Sequence, residues 1–190
     1  MTEQELIYRL KAGDEIAFKH LVESRQSLVF NTVLGFLQST EDAEDVTQDI
    51  FVKIFESIQQ FKGESALSTW VYRVAVTSAL EFIRRKKRKK RFGFLSPILG
   101  ENNEPTIELP DFSHPGVKLD NKEKASILFK AIKELPENQQ IAFILNKVEG
   151  LSYQEVAAIM KSSLSAVESL LHRAKTNLKE NLKNIYNLDQ

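Results

Sequence analysis

Apolar residues recur at three- and four-residue steps through most of the first 90 residues, the spacing that one buried helix face requires. Leu6, Ile7 and Leu10 predict a first short helix. Asp14 is placed to cap a second helix, which reads EIAFKHLVESRQSLVFNTVLGFL. Thr40 is placed to cap a third, whose apolar positions are Ala43, Val46, Ile50, Phe51, Ile54 and Phe55.

A loop at 61–65 separates these helices from a fourth, which begins at Leu67 or Ser68 and reads STWVYRVAVTSALEFIRRKKRKKR. Its many β-branched residues also suit a strand. The helical spacing of its apolar positions favours a helix; they are Val71, Val74, Ala75, Ala79 and Phe82.

The last third of the chain predicts four more helices. The first two cover about 120–134 and 137–148, with Leu135-Pro136 between them and Gly150 as a left-handed cap. Ser152 and Glu155 form a capping-box pattern before the third, SYQEVAAIM. After a Lys-Ser-Ser break, the last helix places an apolar stripe inward at Val167, Leu170, Leu171, Ala174 and Leu178.

Residues 92–119 interrupt the helical pattern, because the stretch 91–119 holds four of the five prolines and three of the seven glycines. Five acids stand against one base, Lys118, between 96 and 120. We therefore predict an all-α fold of two small helical domains, 1–91 and 120–190, joined by a flexible acidic linker at 92–119.

Composition indicates the cellular compartment in which we expect this fold. The chain has 190 residues, 42% of them hydrophobic, and no cysteine, which excludes disulfides and thiolate metal sites and favours a reducing cytoplasm. We expect neither a signal peptide nor a membrane span. The 26 bases and 26 acids cancel overall but are segregated, with eight consecutive cations at 84–91.

The segment from Leu151 to Leu182 has the form of a helix-turn-helix. Ala157 and Ala158 provide small residues for a close helix crossing, and 161–163 a tight break. An ordinary helical hairpin with a solvated polar face is the alternative. The candidate DNA contacts are Ser163, Ser165, Glu168, Ser169, His172, Arg173 and Lys175, with Lys179 reaching phosphates.

Longer motifs favour the helix-turn-helix over the ordinary helical hairpin. LPENQQIAFILNKVEGLSYQEVAAIM, followed by SAVESLLHRAK, resembles region 4 of the extracytoplasmic-function (group IV) sigma factors of the sigma-70 family. DAEDVTQDIFVKIF resembles their region 2.2, and FKGESALSTWVYRVA with SALEFIRRKKR resembles regions 2.3 and 2.4. The resemblance implies a protein that binds core RNA polymerase, reads the −35 promoter element with region 4 and melts the −10 element with region 2.

The resemblance assigns an acidic helix face to polymerase binding, on the coiled coil of the largest polymerase subunit. A solvated acidic face is the alternative interpretation. The residues of this face, with its apolar margin, are Asp42, Asp45, Gln48, Asp49 and Val52.

It also implies that a loop and the fourth helix hold the melted −10 strand. We expect Phe61 to border a base pocket, and Trp70 to serve either the pocket or the core. The candidate contacts are Phe61, Lys62, Glu64, Ser65, Trp70, Arg73, Thr77, Glu81, Arg84, Arg85 and Arg88. In region 2, Thr77 and Glu81 stand where the family usually has Asn and Asp. In region 4, Lys161, Glu168 and Leu170 stand where it often has Gly, Lys and Arg. We therefore do not transfer the family's base preferences to this chain.

No sequence motif suggests catalysis. His20, His114 and His172 lack metal-ligand spacing, and no glycine-rich phosphate loop is present, so we expect no enzyme activity, metal, cofactor or small-molecule substrate. The expected partners are core polymerase, promoter DNA and an anti-sigma factor, in many relatives a membrane-anchored one. Two alternatives remain, an ordinary helix-turn-helix regulator and a sigma mimic that sequesters an anti-sigma factor.

Overall fold

The computed structural model describes residues 1–93, Pro115 and 122–188, and within them the regular structure is helical throughout. The predicted all-α class is confirmed. Most of the predicted linker lies outside the described residues. None of the described helices is both long enough and apolar enough to cross a membrane.

The first four helices are α1 (Glu3–Lys11), α2 (Glu15–Leu37), α3 (Thr40–Ser57) and α4 (Leu67–Gly93), with a 3₁₀ turn at Ile58–Gln60. Asp14 caps α2 as predicted, since Oδ1 accepts from the backbone N–H of Ile16 at 2.9 Å and of Ala17 at 3.1 Å. These hydrogen bonds lower the pKa of Asp14, and the bond from the Ala17 N–H contributes most. The predicted cap of α3 is wrong: Ser39 caps it, and Thr40 is its first residue.

The C-terminal helices are α5 (Lys122–Lys133), α6 (Glu137–Phe143), α7 (Tyr153–Met160) and α8 (Leu164–Leu188). The predicted helix over 137–148 is confirmed, and its last turn, Ile144–Val148, is π-helical. The backbone N–H of Glu149 closes this turn on the Ile144 carbonyl at 2.9 Å. Ile144, Leu145 and Val148 all remain buried in the wider turn.

The two halves of the chain share one apolar core. α2, α3 and α4 pack together in the first half, while α8 packs on α5, α6 and α7 in the second. α7 also packs against α4, and the π turn packs against α2. Apart from Ile127, the buried apolar residues from Leu6 to Leu178 consequently form a single cluster.

Polar contacts accompany this packing between the halves. Gln38 ends α2 in the left-handed conformation (φ 57°), and its buried amide Nε2 donates to the Phe129 carbonyl of α5 at 2.7 Å. Arg73 of α4 donates to the Ile159 carbonyl of α7 at 3.2 Å and also to that of Ala158. Arg84 pairs with Glu137 at 2.6 Å on the surface.

Glu149 introduces a titrating group at the same junction. Burial raises the pKa of Glu149 to about 7, although a hydrogen bond with Thr32 of α2 opposes the shift. Burial, together with the negative charges of Glu149 and Glu155, raises the pKa of Tyr72 on α4 to about 12. The ionised form of Glu149 is therefore costly where α2, α4 and the π turn meet.

We predict that Glu149→Gln stabilises the protein at alkaline pH. Between pH about 4.5 and about 7 the unfolded chain ionises Glu149 while the folded chain keeps its proton, so wild-type stability falls as pH rises through this window. The gain from the substitution should grow from near zero at pH 4 to roughly 3 kcal/mol at pH 8, measured by urea unfolding.

Glu155→Gln is the matched control for this prediction. Its hydrogen bonds with Ser152 lower the pKa of Glu155, so Glu155 stabilises the fold above pH about 4.5 and loses that effect as pH falls. This variant should therefore lose stability relative to wild type at neutral pH. Curves for the two variants that shift in the same direction would contradict the assignment of Glu149.

Candidate nucleic-acid interface

The predicted helix-turn-helix is built by local hydrogen bonds around α7 and α8. The Ser152 hydroxyl accepts from the Glu155 N–H at 3.2 Å, and the Glu155 carboxylate accepts from the Ser152 N–H at 2.8 Å. This reciprocal pair is the predicted capping box. Lys161 then turns the chain in the left-handed conformation (φ 51°), and Ser163 caps α8 through the Ala166 N–H at 3.2 Å.

α8 separates an apolar side from a polar side. Val167, Leu171, Ala174 and Leu178 are buried, whereas Leu170, predicted to be on the inner side, is half-buried. All of the predicted contact residues are exposed, namely Ser163, Ser165, Glu168, Ser169, His172, Arg173 and Lys175.

Four of these exposed residues, Glu168, Ser169, His172 and Arg173, line one open groove. The Arg173 Nε–H donates to the Ser169 carbonyl at 3.2 Å, which holds the side chain along the helix. A guanidinium group has five N–H donors, so this bond leaves capacity for a ligand. The groove combines the Glu168 carboxylate, an acceptor, with the cationic Arg173 guanidinium, a donor, the chemistry that reads base edges in a major groove.

α4 carries a second charged face. Thr77, Glu81, Arg84, Arg85 and Arg88 are exposed, and Arg73 is half-buried at the contact with α7. The Arg85 guanidinium and the Lys86 ammonium lie 5.8 and 5.7 Å from the Phe82 ring centroid. A groove of about 730 Å³ runs between α4 and α3, lined in part by Lys53, Glu81, Arg84, Arg85 and Arg88.

The loop before α4 packs on two aromatic side chains. The Phe61 ring is buried and lies 5.4 Å from the half-buried Trp70 ring, so these aromatic residues support the loop. The Phe61 carbonyl accepts from Lys11 Nζ at 2.7 Å. In the loop that these two rings support, Lys62 and Glu64 are exposed and Ser65 is half-buried. Sequence reasoning missed Lys11, because a single lysine 50 residues away gives no signal of this contact.

The acidic face of α3 is exposed at Asp45, Gln48, Asp49 and Val52. Asp42 is partly covered and pairs with Lys86 of α4 at 2.6 Å. Phe55 is 46% exposed, so its prediction as an inward residue is wrong. Its ring packs edge-on against Phe18 at 5.0 Å and extends the apolar margin beyond Val52.

Comparison with protein families gives two matches in the chain order of the motifs. The Sigma-70 region 2 model matches residues 21–89, and the Sigma-70, region 4 model matches residues 126–178. The chain is 35% identical over 175 residues to the ECF RNA polymerase sigma-E factor of Escherichia coli K12, covering 92% of this chain and 91% of that protein. It is 33% identical over 183 residues to the sigma-E factor of Haemophilus influenzae, covering 96% of each.

Solved structures share the whole fold. One is CnrH in complex with the cytosolic domain of CnrY, with a TM-score of 0.66 and 19% identity, covering 96% of this chain and 97% of that chain. Another is the sigma factor RpoE of Bartonella quintana in complex with the anti-sigma factor NepR, with a TM-score of 0.62 and 23% identity over 87% and 96% of the two chains. At these identities the likeness concerns the fold alone.

The left-handed Lys161 yields a stability prediction. A glycine lacks the Cβ that strains this conformation, so Lys161→Gly should raise the free energy of unfolding by about 0.5–1 kcal/mol in urea titrations. Lys179→Gly is the control, since glycine inside exposed α8 should lower it by about 1 kcal/mol. Equal losses in both variants would show that the turn is not strained.

Proposed function

The chain belongs to the extracytoplasmic-function sigma factors of the sigma-70 family, and on that premise we propose that it directs core RNA polymerase to promoters through three separate surfaces. α8 reads the −35 element, α4 with the loop 61–65 holds the melted −10 strand, and α3 binds polymerase. The observation that carries the proposal is the exposed polar face of α8 at the start of a helix-turn-helix, opposite its buried apolar side.

At −35, Glu168 and Arg173 are the side chains suited to reading bases. A carboxylate accepts from the cytosine amino group, and an arginine donates to guanine O6 and N7. Ser163 and Ser165 lie at the N-terminus of α8, where hydroxyl groups and backbone N–H groups favour phosphate contact. Lys175 and His172 extend the same exposed face.

At −10, the α4 cations contact phosphates and the loop receives a base. Arg84, Arg85 and Arg88 are exposed along the helix, which suits a salt-dependent, sequence-independent contribution. Lys62, Glu64 and Ser65 offer polar groups above the supporting pair Phe61 and Trp70. Thr77 and Glu81 contact bases in this proposal, with Glu81 oriented by Lys53 at 3.1 Å.

For polymerase binding, the exposed side of α3 combines charge with apolar area. Asp45, Gln48 and Asp49 lie beside Val52, which is 59% exposed. A partner helix with basic and apolar positions complements such a surface. In this proposal the domains are 1–91 and 120–190, joined by 92–119.

The proposal extends to partners and setting. The two solved structures described above each contain a sigma-like chain in complex with another protein, NepR being an anti-sigma factor by its name, and we infer a partner of that kind here. The bond-forming chemistry belongs to polymerase, so this chain acts without a catalytic group, cofactor or small-molecule substrate of its own. It acts where bacterial polymerase and DNA are, in the cytoplasm.

Run-off transcription with purified core polymerase on fragmented genomic DNA tests the proposal. Transcripts that start at a shared pair of upstream elements are expected. A chain that binds DNA but supports no transcript would instead be an ordinary helix-turn-helix regulator. A chain that binds an anti-sigma factor and no polymerase would be a sigma mimic.

Asp45→Lys should weaken core polymerase binding by at least tenfold, because it places a cation on an acidic face against a basic partner. Binding is measured by competition with a labelled sigma factor, and circular dichroism checks the fold. Glu23→Lys makes the same charge change at an exposed position of α2, outside that face. Equal effects of the two variants would reject the assigned face.

Arg173→Ala should weaken −35 recognition by about 1–3 kcal/mol if Arg173 reads a base. The measurement is duplex binding of the holoenzyme to a promoter found by run-off, compared with the same promoter carrying a scrambled −35 element. Lys133→Ala, which removes an exposed cation at the end of α5, is the control. Unchanged discrimination between the two promoters would contradict the role of Arg173.

A further inference from the structure

Helix α1 is bonded to the chain on both sides of the loop that precedes α4. Where the loop starts, Lys11 Nζ donates to the Phe61 carbonyl at 2.7 Å, and the Gln59 side-chain amide donates to the Lys11 carbonyl. Where it ends, the Glu3 carboxylate accepts from the backbone N–H of Leu67, the first residue of α4, at 3.3 Å. Glu3 and Lys11 are the first and last residues of α1, so one short helix holds both ends of the loop.

The bond from Leu67 to Glu3 has a physical basis in helix ends. The first N–H groups of a helix have no partner within that helix, and they form its positive end. Ala66, the residue before α4, has no side-chain acceptor with which to cap them. The Glu3 carboxylate therefore brings an acceptor from α1 and places a negative charge at the start of α4.

α1 is itself fixed on its neighbours. Its side chains Leu6 and Leu10 are buried, and the helix packs on α2 and on the 3₁₀ turn that leads into the loop. Arg9 Nε donates to the carboxylate of Asp14, the cap of α2, at 2.8 Å. The bonds to the two ends of the loop thus come from a rigid support.

The tip of the loop depends on its ends for its position. Lys62 and Glu64 are exposed. Gly63 between them has a left-handed φ of 75°, and a Cβ at this glycine would meet none of the described residues within 4 Å, its chain neighbours aside. The polar groups that the loop offers to DNA are consequently placed by the points where the chain enters and leaves the loop.

We propose that α1 positions the loop for capture of a −10 base, with Lys11 and Glu3 as positioning residues that act through Phe61 and Leu67. The inference rests on the proposed function, which assigns the loop to a base of the melted strand. A loop that is already held in its binding conformation loses less conformational entropy when it receives a ligand. The contacts of α1 therefore raise the affinity for the captured base and leave phosphate binding unchanged.

Matched variants separate this role from charge and from folding. Lys11→Met removes the ammonium and keeps an unbranched side chain, whereas Lys11→Arg restores a donor. Lys19→Met makes the same charge change at an exposed position of α2. At the other end, Glu3→Ala removes the acceptor, Glu3→Gln keeps a side-chain oxygen that accepts, and Glu5→Ala is the control in the same exposed turn of α1.

The first experiment measures binding of the holoenzyme to a fluorescent single-stranded 20-mer that carries the −10 sequence of a promoter found by run-off. Abasic sites replace the −10 bases one at a time, and the position at which the wild type loses most affinity identifies the captured base. The wild type should bind the intact strand at least about fivefold more tightly than that abasic strand, because one stacked base is lost.

Lys11→Met and Glu3→Ala should each lower this ratio at least about twofold, with unchanged affinity for the abasic strand. Lys11→Arg, Glu3→Gln and the two controls should keep the wild-type ratio. A variant at Lys11 that weakens the intact and abasic strands equally would overturn the proposal, because Lys11 would then act only as a charge near DNA. A wild-type ratio in both Lys11→Met and Glu3→Ala would overturn it as well.

The second experiment follows the loop without DNA, through Trp70, the only tryptophan of the chain. Its half-buried ring lies 5.4 Å from that of Phe61. Lys11→Met should raise the acrylamide quenching constant of Trp70 at least about twofold through local opening, while Lys11→Arg and Lys19→Met stay at the wild-type value. An unchanged constant in Lys11→Met overturns the proposal.

The two experiments also separate this proposal from the function on which it rests. A wild-type holoenzyme that binds every abasic strand as tightly as the intact strand would reject the assignment of the loop to a −10 base. The quenching of Trp70 would still report whether Lys11 holds the loop on α1.

Discussion

The burial of one side of α4 is the constraint on which the other features depend. Val71, Ala75 and Ala79 are fully buried, and they hold the helix against α2 and α3. With that side fixed, the cations of α4 face outward next to the acidic face of α3, and Arg73 faces α7. The surfaces proposed for polymerase and for −10 DNA, and the contact with α7, thus share one rigid support.

The local features were predictable because their signals are local. Periodic apolar residues indicate the helices, and Ser152 and Glu155 lie close enough in sequence to reveal the capping box. The exposed face of α8 follows from its buried stripe. The π-helical turn could not be predicted in this way, because its residues have an ordinary helical composition and its extra width depends on packing.

The remaining features depend on contacts that are distant in sequence. The bond from Gln38 to Phe129 joins residues 91 positions apart, and nothing around Gln38 marks it as a partner of α5. The raised pKa of Glu149 arises from burial between helices of both halves. Phe61 was expected at a pocket, and its burial depends on the position of Trp70 and α1.

The ion pair between Lys86 and Asp42 has a consequence for cooperativity. It joins a basic helix suited to DNA with an acidic helix suited to a protein partner, at 2.6 Å on a partly exposed surface. A partner that engages Asp42 frees the Lys86 ammonium for a phosphate, and a phosphate that engages Lys86 frees the Asp42 carboxylate. If the proposed partner and DNA bind at these two side chains, thermodynamic linkage makes the two effects equal and each ligand favours the other, by at most about 1 kcal/mol for an exposed pair.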